Sequence, residues 1–160
     1  MILQLPGFLD GGIMPRKYTA QGEEASPEVE WHELPEETKS LVLFMYDVSV
    51  PADWLRLGTI DHWVVYNIPP ELTGLPEGLP EIHELENGAQ QGTRWGRRTG
   101  YMGPDPLTGT HLYVFELYAL DKMLDVSPVE ATRKKLTEVM TGSVLEKAVY
   151  AGKYKKTQLV

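Results

Sequence analysis

Three ionisable side chains stand at the ends of apolar runs. Asp47 closes Ser40–Asp47 (SLVLFMYD), His62 opens His62–Ile68 (HWVVYNI) and His111 opens His111–Leu120 (HLYVFELYAL). A carboxylate that ends an apolar row needs a partner, because a buried charge without one is costly. An imidazole can be that partner: it donates, accepts and titrates near neutrality. Tyr113 follows His111 at i+2, so a phenol joins the same neighbourhood. Polar groups at the rim of an apolar core are how a binding pocket is made. Each residue alone has a plainer reading. A single strand-end His is commonly a solvated bystander. Asp47, a few residues before Pro51, suits a turn. His32 and His83, in Glu-rich surroundings, read as solvated.

The elements that would position these groups are strands. Short apolar runs of about 4–8 residues bounded by Gly and Pro suit central strands covered on both faces. Side chains alternate along a strand. By that rule Leu41, Leu43, Met45 and Asp47 share one face, His111, Tyr113, Phe115 and Leu117 another, and His62, Val64, Tyr66 and Ile68 a third. Between Pro69 and Pro106 the chain reads mostly as loop, and a loop that long has a task or hides weak strands. Helix is expected near the C-terminal end. Ser127-Pro128-Val129-Glu130 is a capping-box start. Val129, Leu136, Val139 and Met140 form its apolar stripe. Gly142-Ser143 breaks it, Val144, Leu145, Ala148 and Val149 give a second helical face, and Gly152 ends it, with Lys153-Tyr154 able to return to the sheet. Strands first and helices last predicts a mainly β domain with peripheral C-terminal helices.

Composition bounds the partners. The 160 residues suit one domain, 1–160, large enough to fold without a staple. Cys is 0, which excludes disulfides, thiolate nucleophiles and Cys-type metal sites. With 15 Lys+Arg against 23 Asp+Glu, the net charge of −8 repels nucleic acid and anionic membranes at long range. An anion site must therefore be a local exception to the global field. The N-terminal MILQLPGFLDGG lacks the basic and apolar regions of a secretory signal, and no apolar run nears the ~18 residues of a membrane span. A cytoplasmic protein without stable membrane insertion is expected.

Four strings, in order, carry a family resemblance. Ser26-Pro27-Glu28-Val29-Glu30-Trp31 fits S-P-x-L/V-x-W. His62-Trp63-Val64-Val65-Tyr66-Asn67-Ile68-Pro69 fits H-W-V-V-x-N-I/L-P. Gly100-Tyr101-Met102-Gly103-Pro104 followed by Gly109-Thr110-His111-Leu112-Tyr113 fits G-Y-x-G-P…G-x-H-R-Y. Tyr118-Ala119-Leu120-Asp121 fits Y-A-L-D. Over nearly its whole length the chain resembles the phosphatidylethanolamine-binding protein family, also called Raf kinase inhibitor-like proteins, in its shorter prokaryotic form. The resemblance implies a β-sandwich of two antiparallel sheets with peripheral helices. It also implies a pocket for phosphate, phosphorylated headgroups or carboxylates, built from Asp47, His62, Gly103, His111 and Tyr113, with Pro51, Pro104 and Trp63 as walls. Two departures stand out. The family's D-P-D-x-P is Asp47-Val48-Ser49-Val50-Pro51 here, and the Arg of H-R-Y is Leu112. Together they suggest an ion pair lost as a unit, which costs far less than losing one partner. The family's loop Asn corresponds to Thr93 or Arg94.

In such a pocket His62, His111, the Tyr113 hydroxyl and a backbone N–H near Gly103 would donate to the anion. Asp47 would orient one His and favour its charged form. Anion affinity would then weaken as pH rises. The expected function is non-enzymatic binding of a small anionic or phosphorylated ligand by a regulatory or inhibitor protein, without cofactor or metal. Two alternatives stand beside it: a metal-dependent enzyme using Asp47, His62 and His111, and an inhibitor acting on a kinase or protease by surface contact. Ser49 lacks a nucleophile elbow, so a hydrolase has little support. The basic stretch Arg94-Trp95-Gly96-Arg97-Arg98 is either a clamp on a larger phosphorylated partner or a solvated loop balancing Glu81–Glu86. A homodimer through the apolar C-terminal helices is a further expectation.

Overall fold

The longest apolar runs become long strands of the computed structural model, which describes residues 1–50 and 59–157. In chain order the strands are β1 (Ile2–Gln4), β2 (Gly12–Ile13), β3 (Val29–His32), β4 (Ser40–Asp47), β5 (Ile60–Ile68), β6 (Gly74–Leu75), β7 (Gln90–Gln91), β8 (Thr93–Arg94), β9 (Arg98–Thr99), β10 (Thr110–Leu120) and β11 (Val144–Lys155). A six-stranded sheet runs β2-β11-β10-β4-β5-β7, antiparallel except for the short β2–β11 pair. A three-stranded sheet, β1-β3-β6, faces it. Between them lies the main core, with Leu3, Val29 and Trp31 from the small sheet against Leu43, Met45 and Phe115 from the large one. The mainly β sandwich expected from the sequence is present. β6 to β9 are the weak strands inside the stretch from Pro69 to Pro106.

The other face of the large sheet carries Val42, Phe44, Val64 and Tyr66, covered by Leu124, Ala131, Leu136 and Met140. That cover includes α1 (Arg133–Val139), the one α-helix among the described residues. The helix begins later than its capping signal predicts. Ser127 to Ala131 close a separate turn, with Glu130 N and Ala131 N both donating to the Ser127 carbonyl at 3.0 Å. The Ala131 carbonyl is taken by Thr93 N of β8 at 2.9 Å, which draws the chain out of helical geometry. Thr132 is extended there and caps α1, its hydroxyl accepting from Lys135 N at 3.1 Å. Val129 is left 71% exposed, so it is no part of the apolar stripe.

The second predicted helix is a strand. Gly142 at φ 84 ends α1's extension, and Val144–Lys155 pairs along the whole of β10, from Leu120↔Val144 to Thr110↔Lys155. β-branched and aromatic residues such as Val144, Val149, Tyr150 and Tyr154 fit a pleated surface, and an available partner strand overrides helical spacing. Gly152 sits within this strand instead of ending a helix. A Cβ there would lie 2.5 Å from Met14 Cγ, so the missing side chain is what lets the N-terminal segment pack. Of the two C-terminal helices expected to carry a dimer surface, α1 is therefore the one present among the described residues. No helix among the described residues is long and apolar enough to cross a membrane.

Candidate functional site

β4 pairs with β10 so that Asp47 stands opposite Tyr113, and with β5 so that it stands opposite Ile60. The strand-end groups are thereby brought to one end of the large sheet. His62 arrives by a route that alternation alone does not give. Met45 pairs with Trp63 but Tyr46 pairs with Asp61, leaving His62 as the extra residue of a β-bulge. The bulge breaks the alternation. Val64 and Tyr66 face the α1 side, whereas His62 turns to the pocket and Ile68 to the main core. Sequence parity had put all four on one face. A second irregularity between Leu41 and Leu43, with Asn67 at φ 48, accounts for Ile68. Asn67 stabilises that bend through Nδ2 to the Leu124 carbonyl and to Gln90 Oε1, and through Oδ1 from Leu124 N, each at 2.8 Å.

The resulting pocket has a volume of about 620 Å³. Asp47, His62, His111 and Tyr113 line its polar side, and Val50, Ile60, Trp95 and Leu107 its apolar side. His111 Nδ1–H donates to Asp47 Oδ2 at 2.6 Å, and Asp47 Oδ1 accepts from Ser49 N at 2.8 Å. Asp47 is thus both a turn residue and the partner of an imidazole. His62 Nδ1–H donates to the Met102 carbonyl at 2.7 Å, while Met102 N donates to the His62 carbonyl at 2.9 Å. A carbonyl only accepts, so this bond fixes the tautomer and leaves His62 Nε2 as the free ring nitrogen. Burial pushes the His62 pKa below 6.5, against the raising influence of Met102 and Asp47. Near neutral pH the ring is therefore uncharged; the imidazole that Asp47 orients is His111.

Tyr113 packs edge-on to His62, with ring centroids 5.2 Å apart, and nearly parallel to His111 at 6.4 Å. It is fully buried, and its hydroxyl has no hydrogen-bond partner among the described residues. Burial, and then the charge of Asp47, push its pKa far up, so the hydroxyl remains a donor. Arg94 lies close enough for its charge to disfavour protonation of His62, and Arg94 Nη1 donates to the Trp95 carbonyl at 2.8 Å.

The remaining predicted residues are placed differently. Gly103 lines the pocket, but its N–H donates to Glu24 Oε2 at 3.0 Å. Trp63 is wholly buried and lies outside the pocket lining. Its Nε1–H donates to Gln91 Oε1 at 2.8 Å, and its ring packs against Tyr101. Pro104 also lies off the lining and accepts Ala20 N with its carbonyl. Pro51 lies outside the described residues. Trp95, half-exposed at the rim, supplies an aromatic wall instead. Arg97 and Arg98 turn away into a separate groove with Glu81 and His83. Glu24, Asp105 and Leu107 also line the pocket, and no motif had marked them. His32 is exposed, as its acidic setting suggested. Ser49 and Leu112 are neighbours, Leu112 N donating to Ser49 Oγ at 2.8 Å. Among the described residues no three His, Asp or Glu side chains are gathered as a metal site would require, and the Nδ1 atoms of His62 and His111 are both engaged.

A model of the phosphatidylethanolamine-binding protein family matches residues 5–155. The chain belongs to that family. It is 41% identical over 156 residues to a Methanothermobacter thermautotrophicus protein named UPF0098, covering 98% of this chain and 99% of that one. A crystal structure of a phosphatidylethanolamine-binding protein homologue from Chlamydia trachomatis is 35% identical, with a TM-score of 0.89 over 98% of this chain and 97% of that one. Escherichia coli YbcL, described as a member of the mammalian family, is 23% identical with a TM-score of 0.84 over 97% and 98%, and shares the fold.

Proposed function

We propose that the pocket binds a small anion or the phosphorylated or carboxylate headgroup of a larger ligand, without chemical turnover. The observation that carries this reading is the buried Tyr113 hydroxyl, which has no partner among the described residues, beside two imidazoles whose Nδ1 atoms are already tied. A polar atom left in that state costs stability unless something outside the chain completes it. The rings are held by their inner nitrogens, so His62 Nε2 and His111 Nε2 remain for a ligand. His62 donates to an anion once protonated, or accepts from a ligand that carries its own proton. Arg94 adds positive potential nearby, and the apolar rim of Val50, Ile60, Trp95 and Leu107 fits the uncharged part of the ligand. Among the described residues no Ser lines this pocket, and the chain has no Cys. Such a protein acts by occupancy, as a regulator or as an inhibitor of a kinase or protease whose surface it meets when loaded.

Calorimetric titration of the full chain with inorganic phosphate, phosphoethanolamine and acetate tests the reading. Binding should be lost or reduced about tenfold or more in His62→Gln and His111→Gln, as expected when a hydrogen bond to a charged group is removed. Undiminished binding in both variants would move the ligand elsewhere.

A further inference from the structure

The pocket contains a carboxylate that no long strand supplies. Glu24 lies in the turn between the one-turn 3₁₀ helix Arg16–Tyr18 and β3. Its Oε2 accepts the Gly103 N–H at 3.0 Å, and its side chain lines the same pocket as His62, His111 and Tyr113. The Gly103 N–H is one of the donors an anion would seek there.

The turn around Glu24 is pinned on both sides. Thr19 Oγ1 donates to the Arg16 carbonyl at 2.8 Å, Ala20 N to the Pro104 carbonyl at 3.0 Å and Ala25 N to the Lys17 carbonyl at 3.0 Å. Gly103 presses directly against it. A Cβ at position 103 would lie 2.6 Å from the Tyr18 carbonyl oxygen and 2.9 Å from Glu24 Cγ. The lack of a side chain at 103 thus serves the approach of this turn. Glu24 itself holds φ 57, a region that favours Gly and where a Glu is strained. The backbone is fixed, while the Glu24 side chain is exposed and can leave by rotation about its own bonds.

We infer that Glu24 is a tethered anion that caps the pocket, occupying the Gly103 N–H until an incoming anion displaces its carboxylate. The inference rests on the anion-binding reading above. Displacement requires a side-chain rotation and no opening of the turn. An anion that engages only Gly103 gains little by exchanging one carboxylate contact for another. A ligand that also reaches His62, His111 and the Tyr113 hydroxyl gains contacts that Glu24 does not make. The cap therefore acts as a threshold against weak anions, and it lowers apparent affinity by the fraction of time the site is closed.

The test uses the ¹⁵N-labelled full chain with Glu24→Gln and Glu24→Gly; the glycine suits the positive φ and keeps the turn. Before any anion is added, the Gly103 amide resonance should move in Glu24→Gly, because its acceptor is gone. In titrations with inorganic phosphate, both variants should bind about tenfold more tightly than the wild type, the scale of one charge-assisted contact no longer competing. A Gly103 amide that is unmoved in Glu24→Gly, or phosphate affinity that is unchanged or weaker in both variants, overturns the cap. If the wild type binds phosphate and His62→Gln abolishes it while Glu24→Gly binds no tighter, the cap alone fails. If phosphate binds none of the proteins, the anion reading fails and takes the cap with it.

Discussion

Replacing Tyr113 with Phe should make the unliganded protein more stable and the liganded one weaker, an unusual pairing of signs. The phenol ring is wholly buried against His62 and His111, and Phe preserves that packing. Only the hydroxyl is lost, and it makes no hydrogen bond among the described residues. A buried polar group left unpaired costs about 1–3 kcal/mol, so removing it should recover roughly 1–2 kcal/mol. For a chain of 160 residues, each kcal/mol shifts the melting temperature by about 2–4 °C. The variant should therefore melt roughly 2–8 °C higher than the wild type in anion-free buffer. Added phosphate stabilises a binding protein by RT ln(1 + [L]/Kd), and losing a hydrogen bond to a charged ligand raises Kd about tenfold or more. The phosphate-induced rise in melting temperature should shrink accordingly. Thermal melts of both proteins across a phosphate series measure the two effects together. A variant that melts lower without phosphate would show that the hydroxyl is satisfied within the chain. A variant with an unchanged phosphate response would show that the ligand never reaches it.

Because burial lowers the His62 pKa, the unfolded chain binds the His62 proton more readily than the folded one. The stability contributed by the neutral ring is complete above the ordinary value of 6.5 and is lost as pH falls through the lower folded pKa. The apo protein should thus lose stability on acidification below about 6.5, phosphate affinity should rise over the same window, and His62→Gln should flatten both profiles. Melts and calorimetry across that range check this, and a flat affinity profile in the wild type would remove the protonated ring from binding. Asn67→Ala removes three hydrogen bonds, two of them buried, at a left-handed residue, and denaturant unfolding should show a loss of about 3 kcal/mol; a loss under 1 kcal/mol would mean that the bend is not held by this side chain. The Ser49–Leu112 contact predicts that Ser49→Asp and Leu112→Arg couple favourably by about 0.5–1 kcal/mol in a double-mutant cycle; strict additivity would count against an ion pair having been lost there as a unit.

Strands β4, β5 and β10 were legible because their apolar runs are long enough to leave no competing period. The C-terminal region was not. Val144, Leu145, Ala148 and Val149 have helical spacing, yet β10 presents eleven residues of hydrogen-bonding edge, and pairing decided the outcome. Ser127–Glu130 carries every sign of a helix start, but a carbonyl taken by Thr93 separates that turn from α1. The grouping of Asp47 with His111 follows from strand parity, and His111 Nδ1 does bond Asp47. The orientation of His62 does not follow, because a bulge is set by how two strands register and no single residue announces it. Glu24 was invisible for a related reason. Its importance comes from a turn and a loop far apart in sequence, and only the close approach at Gly103 joins them.

The tethering of both imidazoles bears on how much a ligand must spend to bind. A free His loses rotamer freedom when it meets a ligand, which reduces net affinity. Here the His62 ring is held by one hydrogen bond to the Met102 carbonyl and the His111 ring by one to Asp47, so the ordering has been met during folding. Asp47 is in turn fixed by Ser49 N, and Tyr113 is fixed by complete burial. Glu24 combines an exposed side chain with a bond to the Gly103 N–H that a ligand would have to break. Rigid donors with one movable competitor place the adjustable part of the affinity at the mouth. Substitutions at Glu24 should therefore tune occupancy without disturbing the donors, whereas substitutions at Asp47 or Met102 disturb the supports behind them.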